Sequence, residues 1–111
     1  MGERAGRLSE RVRFEGRDEA RARAGNLPGA WAYRFERWAR VELLARADPL
    51  PAAADTRHSA RRWRLTIRDG LRPTLEMRAL WRGASLTLTG IEADPASPGW
   101  LTIWAEDRGE E

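Results

Sequence analysis

The sequence predicts an all-β protein, a small antiparallel β-barrel or sandwich with one long inserted loop. From residue 61 onward, short segments alternate apolar and polar residues, which is the period of a strand with one buried face. Turn signals such as Asp69-Gly70 and Asp94-Pro95 separate these segments at regular spacing, as in small barrels and sandwiches. A length of 111 residues suits one domain core and is too short for two, so we expect a single domain over 1–111.

The first predicted strand spans Leu8–Arg17, because Val12 and Phe14 alternate there with charged residues. Residues 18–29 carry two glycines, one proline and one asparagine, which predicts a turn or a long connection. A short helix over 18–24 is compatible with the same residues, since an aspartate at its start would cap it.

The stretch 30–47, AWAYRFERWARVELLARA, is compatible with two structures. Its alanine, arginine, glutamate and leucine content favours a helix. Alternation favours a strand, with Trp31, Tyr33 and Phe35 on one face, followed by Ala39, Val41 and Leu43 after a one-residue slip near Glu36–Arg37. Such a slip is what a β-bulge, or a break between two strands, produces. The residues alone leave helix and strand equally open.

A long loop is predicted over Ala45–Ser59, which contains two prolines and three consecutive alanines and shows no clear period. Connections in compact domains have a median length of about 4–6 residues, and much longer ones usually carry a function or are disordered. The polar candidates in this loop are Arg46, Asp48, Asp55, Arg57 and His58. The two aspartates also fit a turn-forming role, and the histidine also fits a solvated position.

The rest of the chain predicts four more strands. They are Arg61–Asp69, Leu75–Trp81, Ala84–Ile91 and Trp100–Ala105, separated by turns at Asp69-Gly70, Arg82-Gly83 and 94–99. We expect Trp38, Trp63 and Trp81 to fill the core or to lie in a subunit interface. Trp100 and Trp104 lie on the face opposite Leu101 and Ile103 and are therefore candidates for a subunit interface. The acidic end, 106–111, is predicted to be a frayed tail.

The composition excludes several kinds of site. All 20 basic residues are arginine, and cysteine is absent, which rules out a Walker-type phosphate loop, a Schiff-base lysine, a disulfide and a cysteine–zinc site. A single histidine, His58, cannot supply an HExxH helix or a nucleophile–base–orienter set. We therefore expect no enzyme activity, no cofactor, and no catalytic or metal site. No apolar run approaches the length of a membrane span, so we expect a soluble protein with no membrane partner.

Charge is distributed unevenly along the chain. Residues 1–68 carry a balance of +7 and residues 69–111 a balance of −4. A basic half fits either nucleic acid or an acidic surface, including that of another copy of the same chain. The densest basic cluster is formed by Arg57, Arg61, Arg62 and Arg64. Arginine suits phosphate and carboxylate alike, because its planar fork binds both with two hydrogen bonds.

The order of segments resembles the phage head–tail joining family, whose members act as head-closure (stopper) or adaptor proteins and which also occurs in gene transfer agents. The strand GRLseRV opens the match, WARVELL ends the aromatic stretch, and RLTIRDG, MRALWRG and IEADP follow the long loop. The likeness covers nearly the whole chain, from about Gly6 to Glu106.

The resemblance implies strand over Trp31–Leu44 and a barrel assembled into a ring of six or twelve copies. The expected partners are a portal or adaptor protein, a tail terminator or tail tube protein, and packaged double-stranded DNA in the channel. On this reading the loop candidates named above gate the channel. The candidates for the subunit interface are Arg61, Arg62, Arg64, Trp100 and Trp104. The expected location is the head–tail interface of a virion or phage-like particle, assembled in the bacterial cytoplasm.

A small β-barrel that binds single-stranded nucleic acid is the alternative function. Arginine interleaved with six tryptophans can stack bases and neutralise phosphates. This alternative predicts salt-dependent binding by the isolated monomer. The connector predicts weak or no binding by the monomer and ring formation with its partners.

Overall fold

A computed structural model describes residues 8–17, 30–46 and 61–107. These residues form six strands and contain no helix, which confirms the all-β prediction. The strands are β1 (Glu10–Arg17), β2 (Trp31–Arg46), β3 (Arg61–Arg68), β4 (Arg78–Trp81), β5 (Ala84–Glu92) and β6 (Trp100–Asp107).

The strands close into an antiparallel barrel in the order β1-β2-β3-β6-β5-β4, with β4 pairing back to β1. The long strand β2 pairs with two neighbouring strands. Its first part, residues 31–39, pairs with β1, and its second part, residues 40–46, pairs with β3. In a closed ring of six strands, β1 lies across the barrel from β6, and β2 lies across from β5.

The inner face of the barrel is packed with apolar side chains from all six strands. The largest that are fully buried are Phe14, Leu65, Ile67, Leu86, Leu101, Ile103 and Val12. Their alternation with outward-facing residues is the period-two pattern of the sequence, and their burial supplies the main driving force for folding. The barrel interior is therefore a core, and the described strands leave no passage along the barrel axis.

The ambiguous stretch is a strand, as the family resemblance implied. The slip predicted near Glu36–Arg37 is wrong. The register of β2 shifts at Leu44, against β3, and at Arg34, which is skipped between the pairs Phe14–Phe35 and Glu15–Tyr33. This bulge turns Tyr33 outward, where it is 53% exposed, while Phe35 packs against the core. The sequence does not reveal the bulge at this position, because the alternation of Trp31, Tyr33 and Phe35 places all three on one face.

Two predicted segment boundaries are wrong. Ala45 and Arg46 belong to β2 and not to the loop, since Arg46 pairs with Arg61 of β3. Glu106 and Asp107 belong to β6 and not to a frayed tail, and Asp107 is only 5% exposed. Backbone pairing with β3 extends both strands beyond the last apolar residue. The other loop candidates, Asp48, Asp55, Arg57 and His58, lie outside the described residues, as do 108–111.

The predicted strand Leu75–Trp81 is shorter than expected. Its first residues form a turn in which the Met77 amide donates to the Thr74 carbonyl at 3.0 Å, and β4 begins at Arg78. Leu75 is 55% exposed because this turn lifts it away from the core. Alternation alone does not distinguish such a turn from a strand.

One of the three tryptophans expected in the core is exposed. Trp38 is 53% exposed, because its neighbour Ala39 takes the inward position. Trp63 and Trp81 do pack against the core, in an edge-to-face pair with ring centroids 4.9 Å apart. The core placement is therefore wrong for Trp38 and confirmed for the other two, and an interface role for Trp38 stays a prediction.

The predicted turns are present. Arg82 and Gly83 both have positive φ, 51° and 82°, as a tight two-residue hairpin between β4 and β5 requires. In the turn after β5, the Ser97 amide donates to the Asp94 carbonyl at 2.8 Å, and the Ala96 amide donates to Asp94 Oδ1 at 2.9 Å. The second contact is an Asx turn, which explains an aspartate at this position.

Candidate functional site

The predicted interface residues meet on the outer face of two neighbouring strands. The register places Arg62 opposite Glu106, Arg64 opposite Trp104, and Arg68 opposite Trp100. Thus Arg62, Arg64, Trp100 and Trp104 share one surface, which we call the β3–β6 face. The fifth candidate, Arg61, follows the inward parity of Trp63 and lies at the end of the barrel, where it forms an ion pair with Asp107.

One row of side chains crosses the β3–β6 face from β2 to β5. Arg64 Nε donates to Glu42 Oε1 at 2.9 Å, and the Arg64 guanidinium lies 5.9 Å from the Trp104 ring. The indole of Trp104 then lies over Gly90, where an added Cβ would come within 2.9 Å of Trp104 Cδ1. Gly90 is therefore the residue that leaves room for the indole against the sheet.

A second row contains two tryptophans and an arginine. The Arg68 guanidinium lies 5.0 Å from the Trp100 ring and forms no ion pair with any described residue. Trp38 lies on the neighbouring strand β2, and the Arg11 guanidinium lies 4.8 Å from the Trp38 ring. Leu8, Arg37, Trp38 and Arg68 line a hollow of about 330 Å3 beside this row. Aromatic side chains with arginine are the composition that protein–protein interfaces favour.

A groove with two carboxylates adjoins the same face. It has a volume of about 470 Å3, and we call it the acidic groove; its described lining includes Glu92, Asp94, Trp100, Thr102, Trp104 and one basic side chain, Arg64. Trp104 Nε1 donates to Glu92 Oε1 over a long 3.4 Å. Neither Glu92 nor Asp94 forms an ion pair with any arginine among the described residues, and the nearby Arg64 is already bound by Glu42.

The opposite side of the barrel carries four arginines, which we call the basic patch: Arg13, Arg17, Arg34 and Arg78. Arg13 and Arg78 share the buried carboxylate of Glu15, at 3.3 and 2.8 Å. Arg17 and Arg34 have no carboxylate partner in the described part of the chain. They line a hollow of about 460 Å3, to which Glu76 contributes the one acidic side chain among its described lining residues.

The positions of Arg17 and Arg34 follow from the β2 bulge and from Gly16. The Arg34 guanidinium lies over Gly16, where an added Cβ would come within 2.8 Å of Arg34 Nε, and it donates to the Arg17 carbonyl at 2.9 Å. The Arg17 guanidinium lies 4.4 Å from the Trp31 ring. Both cations are thus held on the surface by contacts that leave their charge uncompensated within the described residues.

Three carboxylates elsewhere on the surface have a lowered pKa because neighbouring side chains donate hydrogen bonds to them. The hydrogen bond from Arg64 lowers the pKa of Glu42 below its usual range. Hydrogen bonds from Trp81 Nε1, at 2.8 Å, and from Arg82 lower the pKa of Glu10. In the same way Arg72 lowers the pKa of Asp69. These groups remain ionised to lower pH. Glu42 and Glu10 join neighbouring strands, whereas Asp69 and Arg72 hold the turn that follows β3.

Sequence reasoning missed Glu92 and took Asp94 only as a turn residue. Strand parity contains the missing signal, because Glu92 pairs with Thr102 and so faces the same side as Trp104. No pattern in the sequence indicates the buried Trp63 Nε1, which has no hydrogen-bond partner among the described residues.

The geometry of these surfaces fits contact with another macromolecule. Within residues 8–17, 30–46 and 61–107, no group of three or more histidine, cysteine, aspartate or glutamate side chains is placed to hold a metal ion. The same ranges contain no helix of the length and apolarity that crossing a membrane requires. Half-buried tryptophans beside arginines and carboxylates form a surface that can bind a protein partner.

The chain is similar to a known protein family. A family model described as phage head completion protein matches residues 4–108. A comparison with curated proteins gave no match.

Proposed function

The chain belongs to the phage head completion protein family, and from this membership we propose that it is a head-closure (stopper) subunit of a tailed phage, prophage or gene transfer agent. The family gives it a structural role at the phage head and makes it virion-associated. The stopper role is the more specific proposal: the protein joins the portal or its adaptor to the tail terminator or tail tube. Its work is mechanical, with no reaction catalysed.

The proposed assembly is a ring of six or twelve copies at the head–tail interface, formed in the bacterial cytoplasm. The packed core is an argument for an assembly of several copies and against a single subunit that encloses the channel. Because Phe14, Leu65 and Ile103 fill the barrel, DNA cannot pass through one copy, and a channel for packaged double-stranded DNA has to lie between copies.

We further propose that the loop after β2 narrows this channel. Arg46 and Arg61 are paired neighbours on β2 and β3, so the chain leaves and re-enters the barrel at one point. This supports a single projection from one end of the barrel. The candidates within it are Asp48, Asp55, Arg57 and His58, with Arg46 at its base.

The arrangement of the arginines disfavours the alternative, a single-stranded nucleic-acid-binding barrel. Arg61, Arg62 and Arg64 each face a carboxylate, Asp107, Glu106 and Glu42 respectively. An arginine bound by a carboxylate neutralises phosphate less readily, because the ion pair has to break first. The proposal therefore predicts that the monomer does not quench its tryptophan fluorescence with single-stranded DNA at physiological salt.

Particle assembly in the absence of this protein tests the stopper role. We expect DNA-filled heads and separate tails, and we expect purified protein added to those heads to restore tail joining in electron micrographs. Normal tail joining without the protein would contradict the proposal. Direct seating of the protein on the portal, in particle reconstructions, would show an adaptor in place of a stopper.

A variant with residues 48–58 replaced by a short glycine–serine turn tests the loop separately. We expect it to join tails but to lose DNA from heads before the tail attaches, measured as nuclease-sensitive DNA. Wild-type protein from the same preparation is the matched control. Full DNA retention by the variant would contradict channel narrowing by the loop and leave the joining role intact.

A further inference from the structure

The acidic groove and the basic patch lie on opposite sides of the barrel. The groove is built on β5 and β6, and the patch is built mainly on β1 and the first part of β2. The strand order places β1 across from β6 and β2 across from β5. Surfaces of opposite charge therefore face in opposite directions from one molecule.

The acidic groove offers what a guanidinium needs. Glu92 and Asp94 supply carboxylates with no cationic partner among the described residues, and the indoles of Trp100 and Trp104 supply aromatic rings beside them. A guanidinium binds a carboxylate with two hydrogen bonds and stacks on aromatic rings. Arg68 already stacks in this way on Trp100, at 5.0 Å.

The basic patch offers the matching groups. It has four arginines, of which Arg17 and Arg34 lack a carboxylate among the described residues, while Glu15 neutralises one of the other two. With Glu15 and Glu76 counted, this side of the barrel keeps a positive balance. Such complementarity raises the rate of encounter and selects the partner.

We propose that the basic patch of one copy binds in the acidic groove of a second copy, with Arg17 and Arg34 facing Glu92 and Asp94. This inference rests on the proposed ring and identifies the two surfaces that meet in it. Because patch and groove differ and lie on opposite sides, each contact leaves one of each free, so the contact repeats from copy to copy. Head-to-tail contacts of this kind close into a ring when the rotation between neighbours allows it.

Two matched variants test the pairing. E92R/D94N makes the groove positive and keeps the side-chain oxygen that caps the turn at residue 94. R17E/R34Q makes the patch negative and keeps an amide donor at residue 34. On heads that lack the protein, we expect each variant alone to need a concentration about tenfold or more above wild type for binding as a ring.

The assembly experiment that decides between pairing and no pairing uses a mixture of the two variants. In E92R/D94N both surfaces are positive, and in R17E/R34Q both are negative, so each variant repels itself and attracts the other. We expect the equimolar mixture to recover the wild-type midpoint, measured by sedimentation of protein with heads. Failure of the mixture to assemble, with both variants folded by circular dichroism, would overturn the proposed pairing.

T87R is the matched control, because Thr87 is an exposed residue of β5 outside the acidic groove. It adds a positive charge to the same strand, and we expect assembly within about twofold of wild type. An effect as large as that of E92R/D94N would show a response to net charge alone and would overturn the pairing.

Cross-linking gives a second measurement. The chain has no cysteine, so R34C/D94C introduces two thiols that lie on opposite sides of one barrel. A disulfide requires Cα atoms within about 7 Å, so these thiols bridge only between copies. We expect a ladder of covalent oligomers on heads, and none with R34C/T87C.

The two proposals fail in different ways. If wild-type protein forms rings on heads while R34C/D94C stays uncrosslinked, the pairing is wrong and the stopper role stands. If wild-type protein does not bind heads and tails join without it, the stopper role is wrong, and the pairing, which rests on it, falls with it.

Discussion

At the residue scale, the surface arginines form two groups, those that bind a carboxylate and those that do not. Several of the described arginines both bind a carboxylate and lie over an aromatic ring, as Arg64 does between Glu42 and Trp104. The charge is then partly neutralised, and the side chain contributes packing as well as a hydrogen bond. Arg17, Arg34 and Arg68 form no ion pair with a described residue. Such cations are the ones available to a partner.

The fit of Trp104 over Gly90 gives a prediction at a single position. G90A places a methyl group within 2.9 Å of a ring carbon, so the indole has to move, and we expect the free energy of unfolding in urea to fall by about 1–2 kcal/mol. G16A is the matched control. Its methyl group meets the flexible end of Arg34, so we expect a change within about 0.5 kcal/mol. Equal losses would contradict a specific fit at Gly90.

The Glu42–Arg64 pair predicts how stability depends on pH. The folded-state pKa of Glu42 is lowered below its usual value of 4.5, so the pair stabilises the fold above that pH and loses its effect as the pH falls through the lower folded-state pKa. We expect E42Q to cost about 0.5–1 kcal/mol at pH 7, since Arg64 is 41% exposed and solvent screens the pair. The difference from wild type in urea unfolding should shrink toward pH 3. A difference independent of pH would contradict this role.

At the scale of elements, the barrel has one short seam. β1 pairs with β4 only through residues 13–15, whereas β3 pairs with β6 along its whole length. Side chains reinforce the short seam. Glu15 binds Arg78 of β4, and Glu10 binds Trp81 and Arg82 at the end of the same strand. These carboxylates therefore reinforce a closure that has only three backbone pairs.

Removal of Glu15 is expected to weaken this seam. E15A leaves Arg13 and Arg78 without their shared carboxylate, and we expect a loss of about 1–3 kcal/mol in the free energy of unfolding. Amide hydrogen exchange should accelerate in β4 before it does in β3. E106A is the control: Glu106 lies 3.9 Å from an arginine that is 60% exposed, so we expect a change below about 0.5 kcal/mol. Uniform acceleration in all strands would contradict a weak seam.

At the scale of the whole molecule, one packed core supports two chemically different sides. The core residues come from every strand, so the acidic groove and the basic patch are fixed relative to each other by a single rigid body. A rigid barrel of this kind holds its outer surfaces in a fixed arrangement. This fits the structural role of the family at the phage head.

The packed core predicts where mutations harm the fold. L65A removes a fully buried side chain, and we expect it to lower the free energy of unfolding by about 2–5 kcal/mol in urea titrations. L75A is the control, since Leu75 is 55% exposed, and we expect a change within about 0.5 kcal/mol. A small loss in L65A would show that the interior is loosely packed and could admit another molecule.

The sequence by itself determined the other five strands and many of the residues that face inward, whereas it left β2 open between helix and strand. Alternation identified Val12, Leu65 and Ile103 as core, because a pleated strand sends every second side chain to the same side. Turn chemistry located Arg82-Gly83, because the tight hairpin needs two residues with positive φ.

Only the tertiary structure decided which residues of different strands lie next to each other in the barrel. The bulge at Arg34, the outward position of Trp38, and the inclusion of Asp107 in a strand depend on pairing between segments far apart in the chain. The separation of positive and negative charge on opposite sides has the same origin. A linear pattern records the spacing of residues along one strand, whereas register and barrel closure are set by hydrogen bonds between strands.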